Sequence, residues 1–154
     1  MPMPRGTLAL LLSSVVALSP TVAAQGTSER HPDLSGRWTV EGPAKDLPVF
    51  CGAACEIVQD GDRLSVRASG ETHVIQIGGT NDEKLPLGFT LSTSAAWAGN
   101  LLTITSTVRA SDGALYGLPT STVLSLRKGQ LLVYNTSAVF DLVVQTHASY
   151  SITK

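Results

Sequence analysis

The chain alternates apolar and polar residues with a period of two in several stretches. In CEIVQD, residues Cys55, Ile57 and Gln59 share one face. In RLSVRA, the apolar set Leu64, Val66 and Ala68 lies opposite Arg63, Ser65 and Arg67. LLTITSTVR sets Leu102, Ile104 and Val108 against Thr103, Thr105 and Thr107, and ASYSIT sets Ala148, Tyr150 and Ile152 against Ser149, Ser151 and Thr153. That is the period of strands with one face buried and the other in water. Turn residues separate the runs at Asp60-Gly61-Asp62, Ser69-Gly70-Glu71, Ala98-Gly99-Asn100 and Lys128-Gly129. Glycine admits the positive φ that such hairpin turns require. The pattern predicts about nine strands, near 34–41, 54–60, 62–69, 71–78, 89–98, 100–109, 121–128, 130–137 and 146–153. No stretch after residue 33 sustains a helical period.

Strands joined mainly by hairpins form a meander, and a long meander removes its exposed edges by closing on itself. The expected fold is therefore all-β, an antiparallel meander of eight to nine strands closed into a barrel. A two-sheet β-sandwich is the alternative, since the same alternation serves both. If connections alternate between two ends, three longer ones near 79–88, 110–120 and 138–145 share an end. They carry Leu85, Leu87, Tyr116, Leu118 and Phe140, and the connection at 42–53 falls at the opposite end.

The stretch DLSGRWTV places Gly36 two residues ahead of Trp38 on the first strand. This resembles the start of lipocalins and their calycin relatives. The resemblance implies that Gly36 lets the chain pass closely under the barrel and that Trp38 plugs its closed end. CEIVQDGDRLSV and AAWAGNLLTI also look like hairpins of small exported bacterial domains with this barrel. The likeness covers about a third of the chain beyond residue 24. The sequence departs from lipocalins in having no arginine after Arg127, and in ending on a strand-like segment rather than a helix. A lipocalin ligand therefore does not follow from the likeness.

The N-terminus adds a location. Arg5 precedes an apolar run from Leu8 to Leu18, Pro20 breaks it, and Val22-Ala23-Ala24 supplies small residues for cleavage. That layout predicts a signal peptide over 1–24, too short in its apolar run to act as an anchor, and hence a secreted or periplasmic protein. No cysteine follows the run, which argues against a lipid anchor. Removing 24 of the 154 residues leaves 130, which suits one domain. The expected organisation is a flexible arm over 25–33 and a single barrel domain over 34–154. Without Arg5, ten basic and twelve acidic residues remain, a net charge of −2. Such a balance offers no footprint for nucleic acid or an anionic membrane surface.

Candidate chemistry is sparse. Cys51 and Cys55, in CGAAC, are expected to pair as a disulfide in an exported protein, because the spacing fits neither a CxxC redox pair nor a zinc site. His31 falls in the arm, while His73 and His147 fall in strands, as solvent-facing residues or as a two-histidine site. No Gly-x-Ser-x-Gly elbow or Ser-x-x-Lys motif is present. Asp60 and Asp62 read as turn formers, and Asn81 to Glu83 as a small acidic loop. Asn135-Thr136-Ser137 matches a glycosylation acceptor but lies in a predicted strand. Phe89, Trp97, Tyr116, Tyr134 and Tyr150 are the candidate ligand-binding residues; they either line an apolar cavity or plug a small core.

Two functions follow. The first is an exported binding module holding a small apolar ligand in the barrel. The second is a protein–protein module, such as an inhibitor of a secreted or periplasmic hydrolase acting through the arm QGTSERHPD. An enzyme is not expected, since no nucleophile, base and orienting group can be named together. No catalytic residue, metal ligand or cofactor is assigned.

Overall fold

The computed structural model describes residues 30–43, 45–139 and 142–153. The predicted signal peptide, the arm up to residue 29, and Phe140 lie outside the described residues. Ten antiparallel strands follow in chain order: β1 Gly36–Val40, β2 Ala54–Asp60, β3 Arg63–Ala68, β4 Glu71–Gln76, β5 Thr80–Lys84, β6 Thr90–Ala98, β7 Leu101–Arg109, β8 Thr120–Arg127, β9 Gln130–Val139 and β10 Leu142–Ile152. They form one sheet in the order β4-β3-β2-β1-β10-β9-β8-β7-β6-β5. Pairing of β1 with β10 joins the two halves of the meander, with Trp38 opposite Ile152 and Val40 opposite Tyr150. This single sheet is a nearly closed barrel and not a sandwich.

The strand count is one higher than the alternation predicts. The segment expected as an acidic loop is β5, with sequence TNDEK. It has no large apolar residue, so period-two patterning is silent there. The extra strand also reverses the expected grouping of loops. The connections 41–53, 69–70, 85–89 and 110–119 all lie at one end. The connection at 42–53 thus sits with the long loops, not opposite them.

Closure is incomplete between β4 and β5, which share no backbone ladder. The chain crosses from one to the other at the lower end, where Gly78 N–H donates to Ala95 carbonyl at 2.7 Å and Ile77 bridges Ala95. Asn81 Oδ1 accepts from the Gln76 N–H at 2.7 Å. From there toward the loop-bearing end the two strands form a seam.

Ile57, Leu64, Val66, Ile75, Leu102, Leu124, Leu131 and Val133 point inward and are buried, while Ser and Thr cover much of the outer face. Their burial fills the lower half of the barrel. The floor is made by residues that precede β1. Leu34 is fully buried, and its N–H donates to Gln59 Oε1 at 3.0 Å. Gln59 N–H in turn donates to Ser35 Oγ at 3.0 Å. Trp38 is 3% exposed, and its indole N–H donates to the Leu34 carbonyl at 3.0 Å. Gly36 has φ +156, and a Cβ there would lie 3.1 Å from Ile152 Cδ1 and 3.3 Å from the indole. Only glycine satisfies both the conformation and the contact. Ser35 hydrogen bonds hold the Asp33 carboxyl below its usual range and fix the turn into the strand.

Trp38→Ala is expected to cost about 3–5 kcal/mol, because a closed sheet collapses poorly around the cavity left behind. Gly36→Val is expected to cost about 1–3 kcal/mol through backbone strain. Arg37→Ala, whose side chain meets Glu56 at 3.4 Å in solvent, is expected to cost less than about 1 kcal/mol. Chemical denaturation of the three variants measures this order. A Trp38→Ala protein as stable as its parent would remove the indole from the role of plug.

Candidate functional site

Above the packed half, the interior opens into a cavity of about 360 Å³. The change follows from side-chain size along each strand. β7 passes from Leu102 through Ile104 to Ser106, β8 from Leu124 to Thr122 and Thr120, and β9 from Leu131 through Val133 to Asn135. Bulk fills the floor, and shorter side chains leave room above it. The apolar wall is Val66, Ala68, Ile75, Leu91 and Ile104, and the polar wall includes Glu71, His73, Glu83, Thr93, Thr122 and Asn135.

A partial cover lies over the mouth. Within the connection after β1, Pro48 and Cys51 are fully buried and Phe50 packs against the core. Gly52 N–H donates to the Pro48 carbonyl at 2.9 Å. Val49 and Phe50 reach the cavity. Two ties hold this cover to the barrel. Cys51 and Cys55 form a disulfide, with Cα atoms 5.1 Å apart, which anchors the loop to β2. From β10, beside β1, the fully buried Tyr150 donates its hydroxyl to the Gly52 carbonyl at 2.8 Å. Burial pushes the Tyr150 hydroxyl up to about 12.

Two buried polar residues line the cavity. Asn135 is 7% exposed, and its Nδ2 donates to Thr122 Oγ1 at 3.0 Å. The acceptor asparagine of the glycosylation motif therefore faces inward in the folded barrel. At the rim, His73 Nε2 lies 3.6 Å from Glu71 Oε2 on β4, and Glu83 stands on β5 across the seam. All of these occupy inward positions of their strands.

None of the five aromatic residues proposed from the sequence lines the cavity. Tyr150 is buried beneath the cover. Trp97 lies at the opposite end, stacked under His31 with ring centres 4.7 Å apart, and His31 Nδ1 donates to the Gly99 carbonyl at 3.2 Å. Phe89 and Tyr116 meet each other at 4.8 Å among the loops of the open end. Tyr134 is exposed on the outer face and stacks on His147 at 5.9 Å. His73 and His147 do not meet, because β3, β2 and β1 separate their strands. Polar residues at inward positions, the groups that do line the cavity, were the signal available in the sequence.

No family model and no curated protein matches the chain. Among solved structures, the chain is similar to zebrafish ileal bile acid-binding protein complexed with cholic acid. That likeness has a TM-score of 0.53 at 16% identity, covering 77% of this chain and 98% of the other. It is also similar to the REP1-NXSQ fatty acid transporter, with a TM-score of 0.49 at 18% identity over 79% of this chain and 96% of that one. A mutant of the fluorescent protein UnaG gives 0.49 at 18% identity, over 78% of this chain and 96% of the other. The fold is a calycin-like barrel. At these identities the likeness speaks to the calycin-like architecture alone.

Tyr150→Phe leaves the Gly52 carbonyl without its donor and is expected to lower stability by about 1 kcal/mol at pH 8. The wild-type hydroxyl is neutral in the fold up to about pH 12, whereas in the unfolded chain it ionises near 10. Its contribution is therefore complete below pH 10 and is lost as pH rises toward 12. Urea denaturation at pH 8 and pH 11.5 is expected to show the gap between wild type and Tyr150→Phe shrinking. A gap that widens with pH would contradict the buried neutral phenol.

Proposed function

We propose that the protein is an exported carrier that holds one small amphipathic molecule inside the upper half of the barrel. The observation that carries this reading is the 360 Å³ cavity, roofed by Val49 and Phe50 and lined by apolar residues with a few polar groups. That size and composition are typical of sites for small molecules, which run from about 300 to 1,000 Å³. The similar zebrafish structure holds cholic acid, a compact apolar body with polar edges. The leader-like segment 1–24 and the Cys51–Cys55 disulfide support export. The lipocalin-like features Gly36 and Trp38 fit such a carrier, and the reading is not enzymatic.

Leu91 faces the cavity from β6 and is only partly buried, so a larger side chain there fills the cavity without overpacking the floor. Leu91→Trp is expected to weaken binding of an uncharged hydrophobic dye at least about tenfold, with a melting temperature within a few degrees of wild type. Fluorescence titration and a thermal melt measure the two. A Leu91→Trp protein that binds the dye like wild type would place the dye outside the cavity and overturn the reading.

A second reading, the protein–protein module, is favoured by one specific observation. β10 is eleven residues long, but β1 pairs only with Tyr150, Ser151 and Ile152. The opposite half of β10 carries Leu142, Val143 and Val144, exposed to 72%, 65% and 42%. An exposed apolar strand whose edge has no partner strand among the described residues is a template for another strand. Removal of Gln25 to Pro32 tests the inhibitor form of this reading. It is expected to abolish inhibition of a co-secreted hydrolase, and unchanged inhibition would exclude the arm.

A further inference from the structure

The strand cations of this barrel all lie on its outer face. Arg37, Arg63, Arg67, Lys84, Arg109 and Arg127 are the strand cations among the described residues, and each adjoins an inward residue and points outward. Lys45, in the connection after β1, is exposed and does not line the cavity. The charged side chains that line the cavity are Glu71 and Glu83, with His73 beside Glu71. No lysine or arginine is among the lining residues. A carboxylate ligand entering here meets two like charges and no fixed cation.

The placement of the two carboxylates adds geometry to sign. Glu71 heads β4 and Glu83 is near the end of β5, so they stand on opposite lips of the seam where the barrel is not closed. Deeper in, Asn135 gives its amide N–H to Thr122, while its carbonyl oxygen has no donor among the described residues. No enclosed side-chain oxygen or nitrogen of the described residues lacks a partner, so this acceptor opens onto the cavity. An acceptor open to the cavity fits a hydrogen-bond donor along the body of a ligand, and the rim of carboxylates above it favours positive charge.

We propose that the ligand is a cationic amphiphile, an apolar body bearing a protonated amine or quaternary ammonium that sits between Glu71 and Glu83. This rests on the carrier reading above and narrows it. Fatty and bile acids, whose heads are anionic, are selected against by the same rim. Specificity arises here as much from the charge refused as from the charge accepted.

The test is displacement of N-phenyl-1-naphthylamine, an uncharged dye, from the full mature protein at pH 7.5 and low salt. Three probes share one chain length: dodecyltrimethylammonium, dodecanol and dodecanoate, each kept below its micelle concentration. Dodecyltrimethylammonium is expected to displace the dye at a concentration about tenfold below that of dodecanoate, the ratio that two partly exposed ion pairs supply. In the near-isosteric double variant Glu71→Gln, Glu83→Gln the preference for the ammonium over dodecanoate is expected to vanish, each measured relative to dodecanol in the same protein. Raising the salt is expected to narrow the wild-type ratio. Dodecanoate binding as well as or better than the ammonium, with the dye and dodecanol bound normally, overturns the cationic assignment and leaves the carrier reading intact. A protein that binds neither dye nor dodecanol removes both. A double variant that keeps the full preference shows that these carboxylates do not set it.

Discussion

The whole barrel rests on one contact, the indole of Trp38 against the backbone of Leu34 and Gly36. A closed sheet has two open ends, and an end left open floods the core with water. Here the chain turns under the floor before entering β1, with Leu34 fully buried and its carbonyl held by the indole N–H. Gly36 has no side chain because Ile152 and the indole occupy its place. The same contact brings β1 beside β10, so the plug and the closure of the sheet are one interaction. With this end dry, the apolar residues stacked above it can be buried without burying unpaired backbone.

Ten strands then decide what the interior can be. About eight strands enclose a space that side chains fill, and each further strand widens it. This chain spends its large residues on the lower half, and uses serine, threonine and asparagine at the matching inward positions above. The cavity is thus a product of strand number and of the taper in side-chain size, rather than of one excavated pocket. Its roof depends on a different set of forces. Pro48 and Phe50 pack down, while the disulfide to β2 and the Tyr150 hydroxyl keep the loop from lifting away.

Much of the architecture was legible because strand faces announce themselves when only one is apolar. RLSVRA and LLTITSTVR gave the correct faces, and the lipocalin-like resemblance carried by Gly36 and Trp38 implied the plugged end. β5 was not legible, since TNDEK lies beside the seam and has no apolar residue to show a period. That one strand inverted the inferred loop grouping, because each strand exchanges top for bottom. Which aromatic residues pack in the core and which line the cavity was not legible for another reason. Leu131, Leu132, Val133 and Tyr134 are all apolar, so alternation cannot say which pair faces inward, and Asn135, buried at 7% exposure, breaks the pattern in the wrong direction. Trp97 shares its face with Leu91, yet it sits near the floor of the barrel while Leu91 lines the cavity. Periodicity reports a face; depth along the axis comes only from register.

The polar interior positions are where folding and binding compete. Threonine at 122 and asparagine at 135 stabilise the core less than leucine or valine would, and a purely structural barrel would gain by replacing them. They bond to each other, which removes most of the cost of burying them, but the Asn135 carbonyl is left to the cavity. Glu71 and Glu83 place two exposed carboxylates at the rim, where the two strands already fail to pair. In the proposed reading, a cationic head answers the carboxylates of the rim, and a donor farther along the ligand answers the acceptor below. Residues that violate the local rules of a stable core mark where the sequence serves something other than stability. In this barrel they cluster in the cavity and along the seam, which is why the proposed site is placed there.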